Sequence, residues 1–271
     1  MDDLSGIVDD LRKKYCGLSG EVCYNERRQW ALREYCRKEN RMNQVNYQKE
    51  LEKILNTLQE KGEAAPDYRP PRLFLHSCCA PCSSYCLEYL CRYFLITVFY
   101  YNPNISFSEE YQKRVAEQKR LIAAYNKEEK GWPIDIVEGD YEPERFYEMS
   151  KGYENCPEGG ERCFRCFDLR LRKTAELAQA GGYDYFATTL TISPLKNAAK
   201  INEIGQAISG EYGISWLPSD FKKKNGYKRS IELSAEYELY RQNYCGCVFS
   251  KKEAMDRERL VTENRVNSNN G

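Results

Sequence analysis

Five short apolar runs, separated by helix-length segments, constrain the fold of this 271-residue chain most strongly. The runs occupy residues 73–75, 94–100, 134–137, 183–188 and 214–217. Segments with helical periodicity lie between these runs and after the last one, at residues 83–91, 109–126, 142–149, 163–180, 198–210 and 230–244. Strands that alternate with helices predict an α/β fold with a doubly wound, mainly parallel five-stranded sheet.

Residues 1–65 have a different pattern. They are highly charged, and apolar side chains recur at helical spacing near Trp30 and again from Tyr47 to Leu58. The second of these helices is predicted to stop at Gly62. We therefore predict a helical N-terminal extension over residues 1–65 and an α/β domain over residues 66–271.

Four chemically unusual segments each follow a predicted strand. Cys78 and its neighbours follow the first strand, and Asn102-Pro103-Asn104 follows the second. Residues 189–196 follow the fourth, and a segment that begins with Asp220 follows the fifth. In doubly wound sheets, ligands bind outside the carboxyl ends of the strands at the topological switch point. The sequence therefore predicts that these segments line one crevice.

Cysteine usage indicates metal or redox chemistry. The chain has thirteen cysteines, an acidic N-terminus without a secretory signal, and no apolar run of membrane-spanning length. We expect a cytoplasmic protein without a membrane partner, where a framework of structural disulfides does not persist. The single histidine, His76, argues against a Ser/His/Asp triad or a multi-histidine zinc site. It is predicted to be a hydrogen-bonded core residue.

Two cysteine pairs offer four thiolates. Cys163-x-x-Cys166 opens a predicted helix, which places both sulfurs on one face and stabilises thiolate at the helix N-terminus. Cys78 and Cys79 are adjacent in a loop after a strand, and Cys82 is an alternative ligand in the same loop. Four soft sulfur ligands suit either zinc or an iron–sulfur cluster.

The third pair is Cys245-Gly246-Cys247. Two cysteines separated by one glycine can close a small, strained and therefore labile disulfide ring. The alternatives are two further metal ligands or two core residues. A zinc-only site gives this pair no role, whereas a redox site uses all six cysteines, so the residues favour redox chemistry.

Six motifs occur in order along the chain: LHSCCAPCS at 75–83, FYYNPNI at 99–105, ERCFRCF at 161–167, TTLTISPLK at 188–196, DFKK at 220–223 and YRQNYCGC at 240–247. Together they resemble the epoxyqueuosine reductases of the QueH type. The resemblance implies an adenine-nucleotide-alpha-hydrolase-like fold and a catalytic, iron–sulfur-containing domain over residues 66–271. The implied substrate is tRNA with epoxyqueuosine at the wobble position, reduced to queuosine without cobalamin as the final step of queuosine biosynthesis. The electron donor stays unidentified.

The resemblance also implies roles for individual residues. A [4Fe–4S] cluster would be held by Cys78, Cys79, Cys163 and Cys166, and Cys245 with Cys247 would form the redox-active disulfide. One additional iron is expected beside the cluster, bound partly by a carboxylate. The candidate carboxylates are Asp220 and Asp168.

Other residues are assigned more loosely. Epoxide opening requires an acid at the oxygen, and Tyr101, Tyr227 or Asp220 are candidate proton donors. A basic segment at residues 222–229 is a candidate phosphate contact or a solvated loop. Lys196 is a second candidate for a phosphate contact. Rival functions are an ATP-dependent tRNA thiolase, which would need a phosphate-binding loop after the first strand, and a zinc-stabilised RNA-binding module.

Overall fold

A five-stranded, wholly parallel sheet forms the centre of the computed structural model, which describes residues 45–65 and 67–269. Its strands are β1 (Arg72–His76), β2 (Leu95–Tyr100), β3 (Asp135–Glu138), β4 (Tyr185–Thr188) and β5 (Ser215–Trp216). They are arranged in the order β3-β2-β1-β4-β5. The predicted α/β fold is confirmed. The predicted helix near Trp30 lies outside the described residues.

Helices connect and cover the strands. They are α1 (Tyr47–Ala64), α2 (Ala80–Leu90), α3 (Ser108–Lys127), α4 (Pro143–Ser150), α5 (Glu161–Ala180), α6 (Ala198–Tyr212), α7 (Gly226–Glu236) and α8 (Val248–Asn269). A 3₁₀ turn, Thr189–Ile192, directly follows β4. No helix in the described ranges is both long and apolar enough to cross a membrane.

The sheet is buried on both faces, and residue alternation along β1 shows why. Leu73 and Leu75 join a core with residues of α1, α2 and α3. Phe74 points to the opposite face and packs in a second core that includes Leu171 of α5 and Ile201 of α6. Parallel strands covered on both faces need continuous apolar runs, and this requirement made them recognisable in the sequence.

The switch point lies between β1 and β4. From β1 the chain moves outward to β2 and β3, whereas β4 and β5 continue on the other side. His76 is paired with Thr188 of β4 and with Phe99 of β2 at the carboxyl end of β1. The segments that follow β1 and β4 therefore leave the sheet side by side, as the crevice prediction requires.

Helix α1 packs on the sheet domain. Its Leu51, Leu55 and Leu58 are buried in the same core as β1, and the compact unit begins at Asn46. The predicted boundary between residues 65 and 66 therefore differs from the boundary of the compact unit. The other residues of α1 are mostly charged, so its composition is that of an exposed extension, although one apolar stripe of the helix is buried.

A Leu51→Ala substitution tests this packing. Leu51 is fully buried, and its truncation is expected to lower the free energy of unfolding by about 2–5 kcal/mol. Chemical denaturation of the full chain measures the change. Glu60→Ala, at an exposed position of the same helix, is the control and should change stability little. Equal stability of the two variants would contradict the packing of α1 on the domain.

Gly205 of α6 lies against an indole ring. A Cβ at this position would be 2.4 Å from ring atoms of Trp216. We expect Gly205→Ala to lower the free energy of unfolding by about 1–3 kcal/mol through overpacking. Gly210→Ala on the same helix meets no atom within 4 Å and should stabilise by about 0.4–1 kcal/mol. Denaturation midpoints that move in the same direction would contradict this prediction.

The predicted helix over residues 230–244 is wrong at its C-terminal end. Helix α7 ends at Glu236 and is capped by Glu238 in a left-handed conformation, with φ of 49°. The Glu238 N–H donates to Ala235 O at 3.2 Å, and the Leu239 N–H donates to Ser234 O at 2.8 Å. This bonding pattern is a Schellman motif. Cys245 and Cys247 therefore lie in the loop that leads from α7 to α8, and not at the C-terminal end of α7.

Candidate metal centre

Three cysteines meet where β1 leads into α2. Cys78 and Cys79 follow the strand, Cys79 is the N-cap of α2, and Cys82 lies in its first turn. Their sulfur atoms all lie within 4.8 Å of one another, and the sulfurs of Cys78 and Cys79 are 3.9 Å apart. Both cysteines of the pair are buried and Cys82 is partly buried. The loop therefore presents three sulfurs to one point, and Cys82 is as well placed as Cys79.

Polar contacts with neighbouring elements fix this loop. The Thr189 hydroxyl lies 3.4 Å from the Cys78 backbone N–H and accepts from it. The Asn102 amide donates to Ser77 O at 2.8 Å. Ser83 donates to Cys79 O at 2.8 Å. The segment after β2 thus holds the cysteine loop through Asn102, and the segment after β4 holds it through Thr189.

The second sulfur pair lies at the N-terminus of α5. Gly160 is the N-cap, so Cys163 and Cys166 occupy the first turns of the helix on one face. The Gly159 N–H lies 3.3 Å from the Cys163 sulfur and donates to it. Cys166 is buried, whereas Cys163 is partly exposed. The helix N-terminus and this N–H favour a thiolate at Cys163, but burial outweighs them and raises the pKa of its thiol above the ordinary value.

The third pair shares a cavity with the second. A small open cavity is lined by Cys163, Cys166, Cys245 and Cys247. Its other lining residues include Arg162, Arg170, Glu158 and Asn104. All ten cysteines of the described ranges are free thiols, including Cys245 and Cys247. The structure therefore brings four sulfurs to one cavity and three to the adjoining loop.

The loop that carries Cys245 and Cys247 is held by α3. Arg114 donates to Cys245 O at 3.1 Å and forms an ion pair with Glu110 at 2.6 Å. Glu117 accepts from the backbone N–H of Tyr240 at 2.6 Å. These side chains lie on one face of α3, at spacings of three and four residues. A loop anchored in this way presents its sulfurs in a defined position.

Gly246 is required by the backbone. Its φ of +131° is in the range that favours glycine, and a Cβ would be 2.8 Å from a side-chain atom of Ile105. Beyond the pair, the Ser250 N–H lies 3.3 Å from the Cys247 sulfur and donates to it. Glycine is thus required at position 246 by the local backbone, as well as by the small disulfide ring that the two cysteines could close.

Hydrogen bonding among the thiols separates their acidities. The hydrogen bond from the Cys79 thiol, followed in size by that from the Cys82 thiol, lowers the pKa of Cys78 well below its ordinary range. The bond to Cys78 raises the pKa of Cys79 to about 12 and raises that of Cys82 as well. Without metal, the loop therefore favours one thiolate, at Cys78, and two protonated thiols, at Cys79 and Cys82. Metal binding would displace the two remaining protons.

His76 has the structural role that the sequence predicts. Its Nε2–H donates to Tyr101 O at 3.1 Å, and Nδ1 accepts from the Thr188 hydroxyl at 2.8 Å. Burial, followed by the charge of Arg170, lowers the pKa of His76 to about 3. A neutral, fully bonded imidazole is thus held between β1, β2 and β4, which excludes it as a proton donor at neutral pH.

The family model described as "Epoxyqueuosine reductase QueH" matches residues 73–253, which include all seven cysteines of the site. A Staphylococcus epidermidis protein named "Epoxyqueuosine reductase QueH" is 44% identical over 215 residues, which cover 78% of this chain and 87% of the relative. The chain belongs to the QueH family.

More distant members support the same assignment. A protein of the same name from Streptococcus pyogenes is 41% identical over 221 residues, covering 82% of this chain and 84% of the relative. The Thermotoga maritima protein of that name is 35% identical over 199 residues, covering 71% of this chain and 97% of the relative. The resemblance inferred from the six motifs is therefore confirmed.

The four other candidates, Asp220, Asp168, Tyr101 and Tyr227, are not among the residues that line the cavity. Asp220 forms an ion pair with Lys222 at 2.7 Å, and Asp168 forms one with Arg172 at 2.9 Å. The Tyr101 hydroxyl donates to Glu142 at 2.9 Å. Tyr227 is exposed on α7. In the described part of the chain, the carboxylate that lines the cavity is Glu158, which sequence reasoning did not select.

The basic segment at residues 222–229 is partly neutralised by acids of the domain. Lys222 pairs with Asp220, Lys224 with Glu52, and Arg229 with Glu88. Exposed pairs of this kind are weak and are screened by salt, so a polyanion can compete for the lysines. The segment remains a candidate phosphate contact, with less free charge than its composition indicates.

Two cations lie among the QueH cysteines. Arg170 is buried, lines the cavity and donates to Cys166 O at 3.0 Å. Burial would lower the pKa of Lys196, but Cys245, Cys78 and Cys82 raise it above its ordinary value. Sequence reasoning named Lys196 as a phosphate contact and missed Arg170. The available signal was the spacing of Arg170, four residues after Cys166 and seven after Cys163 on one helical face.

Proposed function

We propose that this protein is an epoxyqueuosine reductase that acts on tRNA. Its membership of the QueH family carries this conclusion, since relatives at 35–44% identity bear that name over most of the chain. The reaction removes the epoxide oxygen as water and leaves the cyclopentene of queuosine. It consumes two electrons and two protons, which is consistent with a site rich in thiols.

The residues fit a bound iron–sulfur group. Soft sulfur is the donor type that such groups require, and the described cysteines place three sulfurs within 4.8 Å and four around one cavity. Cys78, Cys79, Cys163 and Cys166 would hold a [4Fe–4S] cluster, with Cys82 as an alternative ligand. When bound, such a cluster transfers single electrons. An additional iron bound by a carboxylate is part of the proposal, and the position of Glu158 makes it a candidate beside Asp220 and Asp168.

Cys245 and Cys247 would supply the reducing equivalents at the site. Oxidation of two thiols to one disulfide releases two electrons and two protons, which balances the loss of the epoxide oxygen as water. Gly246 gives the loop the backbone conformation in which both cysteines face the cavity. An external reductant, still unidentified, would restore the thiols after each turnover.

Binding of the tRNA would place its wobble nucleoside at the cavity. The cavity is open on one side, towards which the wobble nucleoside would bind. Lys196 and the lysines of residues 222–229 are candidate phosphate contacts. The tRNA thiolase is disfavoured because cysteines occupy the loop after β1, where that enzyme needs a phosphate-binding loop.

Turnover of defined tRNA tests the proposed function. Protein purified without oxygen should contain iron and inorganic sulfide and should convert epoxyqueuosine in tRNA to queuosine in the presence of dithionite. Nucleoside mass spectrometry of the digested tRNA measures the product. One zinc per chain, no sulfide and no conversion would overturn the proposal and favour the zinc-stabilised RNA-binding module.

A further inference from the structure

Arg170 is a buried cation that lacks a carboxylate partner among the residues the structure describes. It is 0% exposed, and its atom Nη2 has no hydrogen-bond partner. Its other nitrogens donate to Cys166 O at 3.0 Å and to the Asn102 side-chain oxygen at 3.4 Å. A buried charge without a counter-charge is strongly destabilising, so a nearby anion is expected to compensate it.

The two other large buried arginines of the site differ in this respect. Arg114 pairs with Glu110 at 2.6 Å. Arg162 pairs with Glu253 at 3.5 Å and donates to the carbonyls of Tyr153 and Glu154. Both therefore have their charge balanced by the protein. Arg170 has only neutral acceptors, together with sulfur atoms as the nearest groups that can carry negative charge.

The position of Arg170 connects the two metal-binding segments. On one side it contacts Cys166 of α5. On the other side it contacts Asn102, which donates to Ser77 O at 2.8 Å, immediately before Cys78. Arg170 also lines the cavity together with Cys163, Cys166, Cys245 and Cys247. The guanidinium thus lies beside the cysteines of that cavity and is linked through Asn102 to the loop that carries Cys78.

We propose that Arg170 is a positioning residue that supplies the compensating positive charge for the metal-bound thiolates of this site and thereby makes their metal centre easier to reduce. The proposal rests on the proposed function only in the identity of the metal group. Reduction adds one electron, and with it one negative charge, to a thiolate-bound centre. A fixed cation with a free N–H stabilises the more negative state, so it raises the reduction potential.

A redox titration with dithionite, followed by electron paramagnetic resonance, tests the proposal on the iron-loaded protein. Arg170→Met should shift the reduction equilibrium at least tenfold towards the oxidised form, which is about 59 mV for one electron. Arg170→Lys keeps the charge and should recover most of that shift. Lys173→Met, at a partly exposed position on the same helix where the side chain pairs with Glu176, is the matched control and should leave the potential unchanged. A potential in Arg170→Met equal to that of the unaltered protein would overturn the proposal.

Thermal melting gives a second readout that does not require activity. Metal loading should raise the melting temperature less in Arg170→Met than in the unaltered protein, because the negative centre loses its compensating cation. An equal gain in both proteins would overturn the proposal. The comparison is valid for iron or zinc, so absence of epoxyqueuosine turnover with a reduced melting gain would remove the proposed function and leave intact the role of Arg170 as the compensating charge for the thiolates.

Discussion

A Cys163→Ala variant purified without oxygen is expected to have no iron–sulfur absorbance and to form no queuosine. Cys163 opens α5, and its sulfur accepts the Gly159 N–H at 3.3 Å. The substitution removes one of the four sulfur ligands proposed for the cluster. Water cannot take its place and keep the same chemistry. Iron and sulfide content per chain, visible absorbance and nucleoside mass spectrometry measure the result.

Cys91→Ala is the matched control. Cys91 is buried at the end of α2 and packs in the core with Leu87 and Leu90, away from the cavity. This variant should keep both the cluster and the activity, with only a modest loss of stability. Full activity of Cys163→Ala without a cluster would refute the assignment of Cys163 as a ligand.

Substitution of Cys245 or Cys247 by serine should separate turnover from metal content. Serine preserves the shape of the loop and the hydrogen bond that Ser250 N–H makes at position 247. Each variant is expected to bind the cluster normally and to lose steady-state turnover by roughly 10³-fold or more, because a single thiol cannot form the disulfide. Iron content and queuosine formation, measured on the same preparation, test this outcome.

The control for this pair is Cys156→Ser. Cys156 is a partly buried free thiol in the segment before α5 and is not among the residues that line the cavity. Its substitution should change neither iron content nor turnover. Loss of iron from Cys245→Ser or Cys247→Ser would instead identify the pair as metal ligands, the alternative that the sequence left open.

The sheet could be predicted because its inner strands β2, β1 and β4 are almost entirely buried on both faces. Continuous apolar runs such as Leu73 to Leu75 are rare outside such strands, and they place β1 to β5 within a few residues. The ends of some helices could not be predicted. The C-terminus of α7 depends on Glu238 in a left-handed conformation, which is usually a glycine position. Helix α8, which continues through the polar residues after Val261, was not predicted, because its sequence has no regular apolar stripe.

The site was predictable to the extent that sulfur is rare and chemically distinct. The cysteine segments stand out in composition, and the switch-point rule brings together those that follow strands. Arg170 and Arg114 could not be found in this way, because an arginine within a charged helix normally faces solvent. Their roles depend on burial and on partners distant in sequence, which only tertiary structure reveals.

The wide separation of the cysteine segments has a consequence for folding. Cys78 follows the first strand, whereas Cys247 precedes the last helix, so most of the domain lies between them. The unfolded chain therefore offers only local sets of two or three sulfurs, and the full ligand set converges only after the central strands have paired. A bound metal would act as a cross-link that closes long loops and slows unfolding. Maturation of the enzyme is thus expected to proceed in a fixed order, with folding first and metal insertion second.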